Sequence, residues 1–119
     1  MPSIFSKIVS GEIPCFKLFE DELFLAFMDI NPVSPGHCLV ITKSEYPQIE
    51  DLPVEVMAKF GLVVQRVGKA VRRALNCPAY NLVLNNGPEA GQEVPHVHFH
   101  IIPRHAKDGV SFNWPNQSG

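Results

Sequence analysis

The stretch His96-Val97-His98-Phe99-His100-Ile101-Ile102 alternates polar and apolar residues without a break. Side chains on a β-strand point to opposite faces with period two, so a strand here puts three histidines on one face and Val97, Phe99 and Ile101 on the other. The apolar face needs a cover, and the chain offers one. A long segment begins after Asp51 and Pro53, which supply helix-start chemistry, and runs to about Leu75. Val56, Phe60, Val63, Val67, Ala70, Val71 and Ala74 form an apolar stripe at helical spacing along it.

Outward from this pair, four further strands are predicted, over residues 16–20, 23–28, 37–42 and 80–86. Ile4, Phe5 and Ile8 share one face of a short N-terminal helix that ends at Gly11 and Pro14. Residues 31–36, Asn-Pro-Val-Ser-Pro-Gly, fit neither a helix nor a central strand and read as a constrained loop. After Pro103 the chain reads as an irregular tail from about residue 104. The expectation is a single α+β domain over residues 1–119: a five-stranded, mainly antiparallel sheet, one long helix and the short N-terminal one. Gly61 and Gly68 lie one heptad apart on the long helix, either as tolerated glycines or as a site of close packing against a sheet or a second subunit. An interior glycine costs about 1 kcal/mol against alanine.

The bulk numbers narrow the function. A chain of 119 residues that is 45% hydrophobic and 18% charged has the balance of one globular core and not of a disordered segment. The net charge is −2 and the basic residues are scattered, so no phosphate-neutralising face for a nucleic acid polymer is expected. Lys69, Arg72 and Arg73 read as the solvated side of the helix. A single nucleotide can be held by backbone amides and needs no such face. Cys15, Cys38 and Cys77 are odd in number and far apart, which predicts reduced thiols in an intracellular protein. The start, Met1-Pro2-Ser3-Ile4, lacks the apolar core of a signal peptide, and no run is long enough for a membrane helix. A cytoplasmic location is expected, with the nucleus also open, and no membrane partner.

Three readings of the histidine face compete. It could be a half-exposed polar face, although histidine is not a favoured strand residue. It could hold a metal, but His96 and His100 would sit ~13 Å apart along a strand, which makes convergence on one ion awkward. Or it could be catalytic: a neutral imidazole nitrogen can attack phosphorus, with flanking groups stabilising phosphate charge. The preceding loop, with Asn85, Gly87, Gly91 and Gln92, offers small residues and amides where a phosphate could meet backbone N–H groups.

The run Gly91-Gln92-Glu93-Val94-Pro95-His96-Val97-His98-Phe99-His100-Ile101-Ile102 resembles the signature of the histidine triad (HIT) superfamily. Ile4-Phe5-Ser6-Lys7-Ile8-Val9-Ser10-Gly11-Glu12-Ile13-Pro14, Phe27-Met28-Asp29-Ile30-Asn31-Pro32 and Pro35-Gly36-His37-Cys38-Leu39-Val40-Ile41 look like its Hint branch, the adenosine phosphoramidate hydrolases. The resemblance covers residues 4 to about 104. It implies a HIT-like fold and a homodimer that binds purine nucleotides (AMP, GMP and their phosphoramidates) without a cofactor or metal. It also implies that His98 is the nucleophile forming a nucleotidyl-histidine intermediate, with His100 and His37 near the phosphate and His96 supporting the array. Asp29 would accept hydrogen bonds from the ribose hydroxyls. Ile4, Phe5, Ile8, Phe27, Ile30 and Leu39 would wall the purine site, Leu39 being equally at home in the core. Asn85, Gly91, Gln92 and Glu93 would meet the phosphate and leaving group.

Two departures from the pattern stand out. Many Hint-branch members carry Ser or Thr where this chain has Glu93, and a carboxylate beside a phosphate is repulsive. Several microbial relatives bind a structural zinc through cysteines at the positions of Ser3 and Ser6 and a histidine near Glu45, so that site is expected to be absent. The reading is a purine nucleoside 5′-phosphoramidate hydrolase. Its rivals are a dinucleoside polyphosphate hydrolase of the same superfamily and a nucleotide-binding regulatory module with incidental turnover.

Overall fold

A computed structural model describes residues 2–112; residues 113–119, the end of the expected irregular tail, lie outside the described residues. Helix α1 (Ile4–Ser10) is opened by Ser3, whose hydroxyl accepts the Ser6 N–H at 3.0 Å, and closed by Gly11 at φ +88°. Strands β1 (Lys17–Glu20), β2 (Phe24–Met28) and β3 (Cys38–Thr42) follow, then α2 (Val54–Leu75), β4 (Ala79–Val83) and β5 (His98–Arg104). The sheet order is β1-β2-β3-β5-β4, and every neighbouring pair is antiparallel. The histidine strand is thus central, paired on both sides.

Period-two alternation divides the sheet into two faces. Phe24, Ala26, Cys38, Val40 and Ile101 point to α2 and pack with Phe60, Val63, Val64 and Val67. Leu25, Phe27, Leu39 and Ile41 point the other way and are covered by Phe5 of α1. Register places Ile41 opposite His98 and Leu39 opposite His100, so the strand histidines open onto the α1 side. The three thiols are free, Cys38 and Cys77 being buried. Among the described residues no helix is long and apolar enough to cross a membrane.

Two strands differ from expectation by more than one residue at an end, the others by one residue at most. β4 ends at Val83, not at residue 86, because Asn86 turns aside: its Oδ1 accepts the Ile49 N–H at 2.8 Å and its Nδ2 donates to Glu50 at 2.6 Å. β5 starts at His98, not at residue 96, and runs on through Pro103 to Arg104. β3 has already ended opposite Ile101, so Pro103 breaks no ladder bond on that side, and the Ser34 hydroxyl donates to its carbonyl at 2.7 Å.

The two helix glycines also separate. A Cβ on Gly68 would lie 2.5 Å from the Tyr80 hydroxyl oxygen, so Gly68 is a packing glycine that lets α2 meet β4 within the chain. Gly61 has nothing within 4 Å and carries no such constraint.

Candidate active site

The site is built where β2, β3 and β5 end beside α1. His98 and His100 come from β5, His37 from the residue before β3, and Asp29 from the residue after β2. The His98 and His100 ring centroids are 4.9 Å apart, and His37 and His100 are 5.2 Å apart. Asp29 Oδ2 lies 3.5 Å from His37 Nε2. Phe5 stands edge-on to His98 at 4.9 Å and to His96 at 5.7 Å.

The hydrogen-bond partners assign the tautomers. His98 Nδ1 is 2.7 Å from the His96 carbonyl oxygen, which can only accept, so Nδ1 carries the proton. In the neutral ring this leaves Nε2 with its lone pair. A second chain starts at the backbone: the Val33 N–H donates to His37 Nδ1 at 3.0 Å, which puts the His37 proton on Nε2. His37 Nε2 then donates to His100 Nδ1 at 2.9 Å, so His100 carries its proton on Nε2. Two neighbouring imidazoles on one strand therefore present opposite chemistry, a lone pair on His98 Nε2 and a donor on His100 Nε2.

Electrostatics keep them neutral. Burial pushes the His98 imidazole down, opposed by its bond to the His96 carbonyl and by Asp29. Burial also lowers His37, again with Asp29 opposing. His100 is pushed down to about 4 by burial and by its neighbours His98 and His37. Neutral His98 is the form that can act as a nucleophile. Asp29, His37 and His100 also have ligand atoms within 4.8 Å of one another, the spacing of a possible cation site. His37 Nε2 and His100 Nδ1 are already bonded to each other there.

His96 lies on the same α1 side as His98, both rings edge-on to Phe5, but is closed off from the site. It lies in a bend before β5 with its ring fully buried. Its Nε2 donates to the Thr42 carbonyl at 2.6 Å and its Nδ1 lies 2.7 Å from Ser3 Oγ. The alternation expected from residue 96 holds, with Val97 in the core on the α2 side and His96 and His98 both against Phe5, although the strand ladder itself begins only at His98.

The apolar residues divide. Phe5, Phe27 and Leu39 are buried together, with Ile8 packed against them. Leu39 faces His100 across the strand pair, which suits both of the roles expected for it. Ile4 is 49% exposed and Ile30 87%, so both sit outside that cluster. In the loop, Gly91 adopts φ +96° and would carry a Cβ 3.5 Å from Asn85 Nδ2, which places Asn85 beside it. Gln92 spends its side chain on the loop: Oε1 accepts the Gly87 N–H, and Nε2 donates to the Pro47 and Val94 carbonyls. Glu93 is exposed and borders a surface hollow with Pro47, Gln48 and Pro88. Sequence reasoning did not find the Val33 N–H, whose role comes from its backbone and leaves no side-chain signal.

The HIT domain family profile matches residues 10–107. The chain belongs to the HIT domain family. This HIT domain is 42% identical over 115 residues to a protein of Arabidopsis thaliana named adenylylsulfatase HINT3, covering 97% of the chain and 57% of that relative. The chain therefore spans little more than half of that protein's length. It is 43% identical to a Saccharomyces cerevisiae protein named adenosine 5′-monophosphoramidase HNT1, with 96% of the chain and 70% of the relative covered. Among solved structures, a HIT family member from Bacillus subtilis superposes with a TM-score of 0.92 at 39% identity, over 98% of this chain and 84% of that one. The five-stranded antiparallel sheet with its two helices is that of the family.

Proposed function

We propose that this HIT domain is a purine nucleoside 5′-phosphoramidate hydrolase that works through a nucleotidyl-His98 intermediate. The observation that carries this reading is the His98 Nδ1–H bond to the His96 carbonyl, which leaves a lone pair on Nε2 beside the donor Nε2–H of His100. The names of the relatives from Saccharomyces cerevisiae and Arabidopsis thaliana support nucleotidyl hydrolysis as the reaction class.

In the first step His98 Nε2 attacks the α-phosphorus and forms a P–N bond. The leaving amine departs with the electron pair of its own P–N bond and takes up a proton from solvent. Water then adds to phosphorus and returns a proton to solvent, and the Nε2–P pair reverts to His98 as the nucleotide leaves. His100 Nε2–H and the amides of the loop around Gly91 offset the negative charge that grows on the phosphate oxygens. Asp29 takes the ribose hydroxyls, and Phe5, Ile8, Phe27 and Leu39 supply the apolar wall for the base. The remaining expected contacts (Ile4, Ile30, Asn85, Gln92 and Glu93) belong to the same proposal, with Gln92 acting through the loop it closes. The enzyme pairs as a homodimer and works in the cytoplasm.

The test is covalent capture. A phosphorus–nitrogen bond to imidazole is labile in acid and durable in base. Reaction with an adenosine phosphoramidate, quenched in base, should give an intact mass larger by one adenylyl group, mapping to His98. His98→Ala should give no adduct, lose orders of magnitude in kcat and still bind AMP. A label on another residue, or near-native turnover in His98→Ala, overturns the mechanism.

A further inference from the structure

The carbonyl that orients the nucleophile belongs to His96, and His96 is itself held from a distance. Its Nε2 donates to Thr42 and its Nδ1 accepts the Ser3 hydroxyl proton, so both ring nitrogens of a fully buried histidine are satisfied in one neutral tautomer. Ser3 is held in turn by an exposed carboxylate from the segment after β3. Glu45 Oε1 accepts the Ser3 backbone N–H at 2.6 Å and the Ser6 hydroxyl at 2.6 Å. These bonds lower the Glu45 carboxyl, the Ser3 N–H contributing most.

In a capping box the N-cap hydroxyl takes the N3 N–H while an acidic N3 side chain takes the N-cap N–H. Here Ser3 does the first, but N3 is Ser6 and the first turn of α1 holds no acid. Glu45, 42 residues away in sequence, supplies the missing carboxylate. A device that is normally local therefore ties two distant segments, the start of α1 and the segment after β3, to the residue whose carbonyl holds His98.

The geometry points to Ser3 and Glu45 as positioning residues for the nucleophile. Glu45 fixes Ser3; Ser3 fixes the His96 ring; the pinned ring fixes the direction of the His96 carbonyl; and that carbonyl holds the proton of His98 on Nδ1. This rests on His98 being the nucleophile, and it adds two residues that touch neither the ribose nor the phosphate contacts assigned above.

The test uses the full chain labelled with 15N-histidine, because imidazole nitrogen shifts report the tautomer directly. Wild type should show His98 as the single Nδ1–H form. Ser3→Ala should show a mixture of His98 tautomers, about tenfold lower kcat on an adenosine phosphoramidate, and KM within about twofold, the scale of one lost hydrogen bond acting only on orientation. Ser3→Thr, which keeps the hydroxyl, should restore both readings, and Glu45→Gln should move them the same way by less. Should Ser3→Ala fail to fold, Glu45→Gln carries the same readout. A His98 that stays wholly in the Nδ1–H form in the folded variant overturns the inference. A wild type that turns over no phosphoramidate would instead overturn the substrate assignment, and the tautomer measurement would still decide the role of Ser3.

Discussion

His37 Nε2 and His100 Nδ1 lie 2.9 Å apart, and this bond makes His100 a donor on its other nitrogen. The donor in the pair is fixed one hydrogen bond upstream, by the Val33 N–H on His37 Nδ1. A loop with two prolines thereby sets the protonation pattern of a strand it does not pair with. Protonating either ring would place a second hydrogen between the two nitrogens or a charge in a buried pocket.

That arrangement predicts the acid side of the stability profile. His100 is held down to about 4 by burial and by its neighbours His98 and His37, while an unfolded histidine titrates near 6.5. Between those values the unfolded chain binds more protons than the folded one, so stability rises with pH. The contribution is complete above about pH 6.5 and is lost as the pH falls toward 4. Thermal melts from pH 7.5 to 4 should show Tm falling through this window, with a shallower fall in His100→Asn. A Tm flat between pH 7 and 5 would contradict it.

Asp29→Ala should weaken ribonucleotides far more than nucleotides lacking the ribose hydroxyls. A charge-assisted hydrogen bond contributes ~1.5–3 kcal/mol, roughly ten- to hundredfold in affinity. Calorimetric titration with both ligand types checks this, and equal losses remove Asp29 from the ribose role.

The two helix glycines should respond oppositely to alanine. Gly68→Ala drives a Cβ to 2.5 Å from the Tyr80 hydroxyl and should destabilise by roughly 1–3 kcal/mol, the usual range for overpacking. Tyr80→Phe in the same chain should recover part of that loss. Gly61→Ala meets open space and should stabilise by about 0.5–1 kcal/mol through helix propensity alone. Urea melts of the variants decide between the two signs.

Glu93→Ser should alter the ranking of leaving amines more than AMP affinity, because Glu93 is an exposed side chain on the loop proposed to meet the phosphate and its backbone amide persists. A panel of phosphoramidates with different amines gives the ranking. A change in product affinity with an unchanged ranking would place this residue elsewhere.

Light scattering at micromolar concentration should return twice 13.2 kDa, since β1 and β4 are edge strands and Leu82 on β4 is exposed. A mass near 13.2 kDa would contradict the dimer.

Much of this was legible in the chain before any coordinates. Alternation in β5 and the 3.6-residue stripe of α2 are local periodicities, and each names the face its element buries; together they lead to the expected sheet with one helix on it. The residue types also pointed to the chemistry, since His98 and His100 need only a strand to share a face. What the sequence could not specify is where a ring nitrogen finds its partner. His96 fits the alternation, but its ring is sealed and both nitrogens are occupied, because Ser3 and the Thr42 carbonyl, from distant segments, meet there. Gly68 reads the same as Gly61 until Tyr80 arrives from β4. The proton on His100 depends on a main-chain N–H that no side chain announces. Periodicity is a property of neighbours along the chain, whereas a tautomer is set by whichever donor or carbonyl lies within about 3 Å in space, and only the folded arrangement brings that group there.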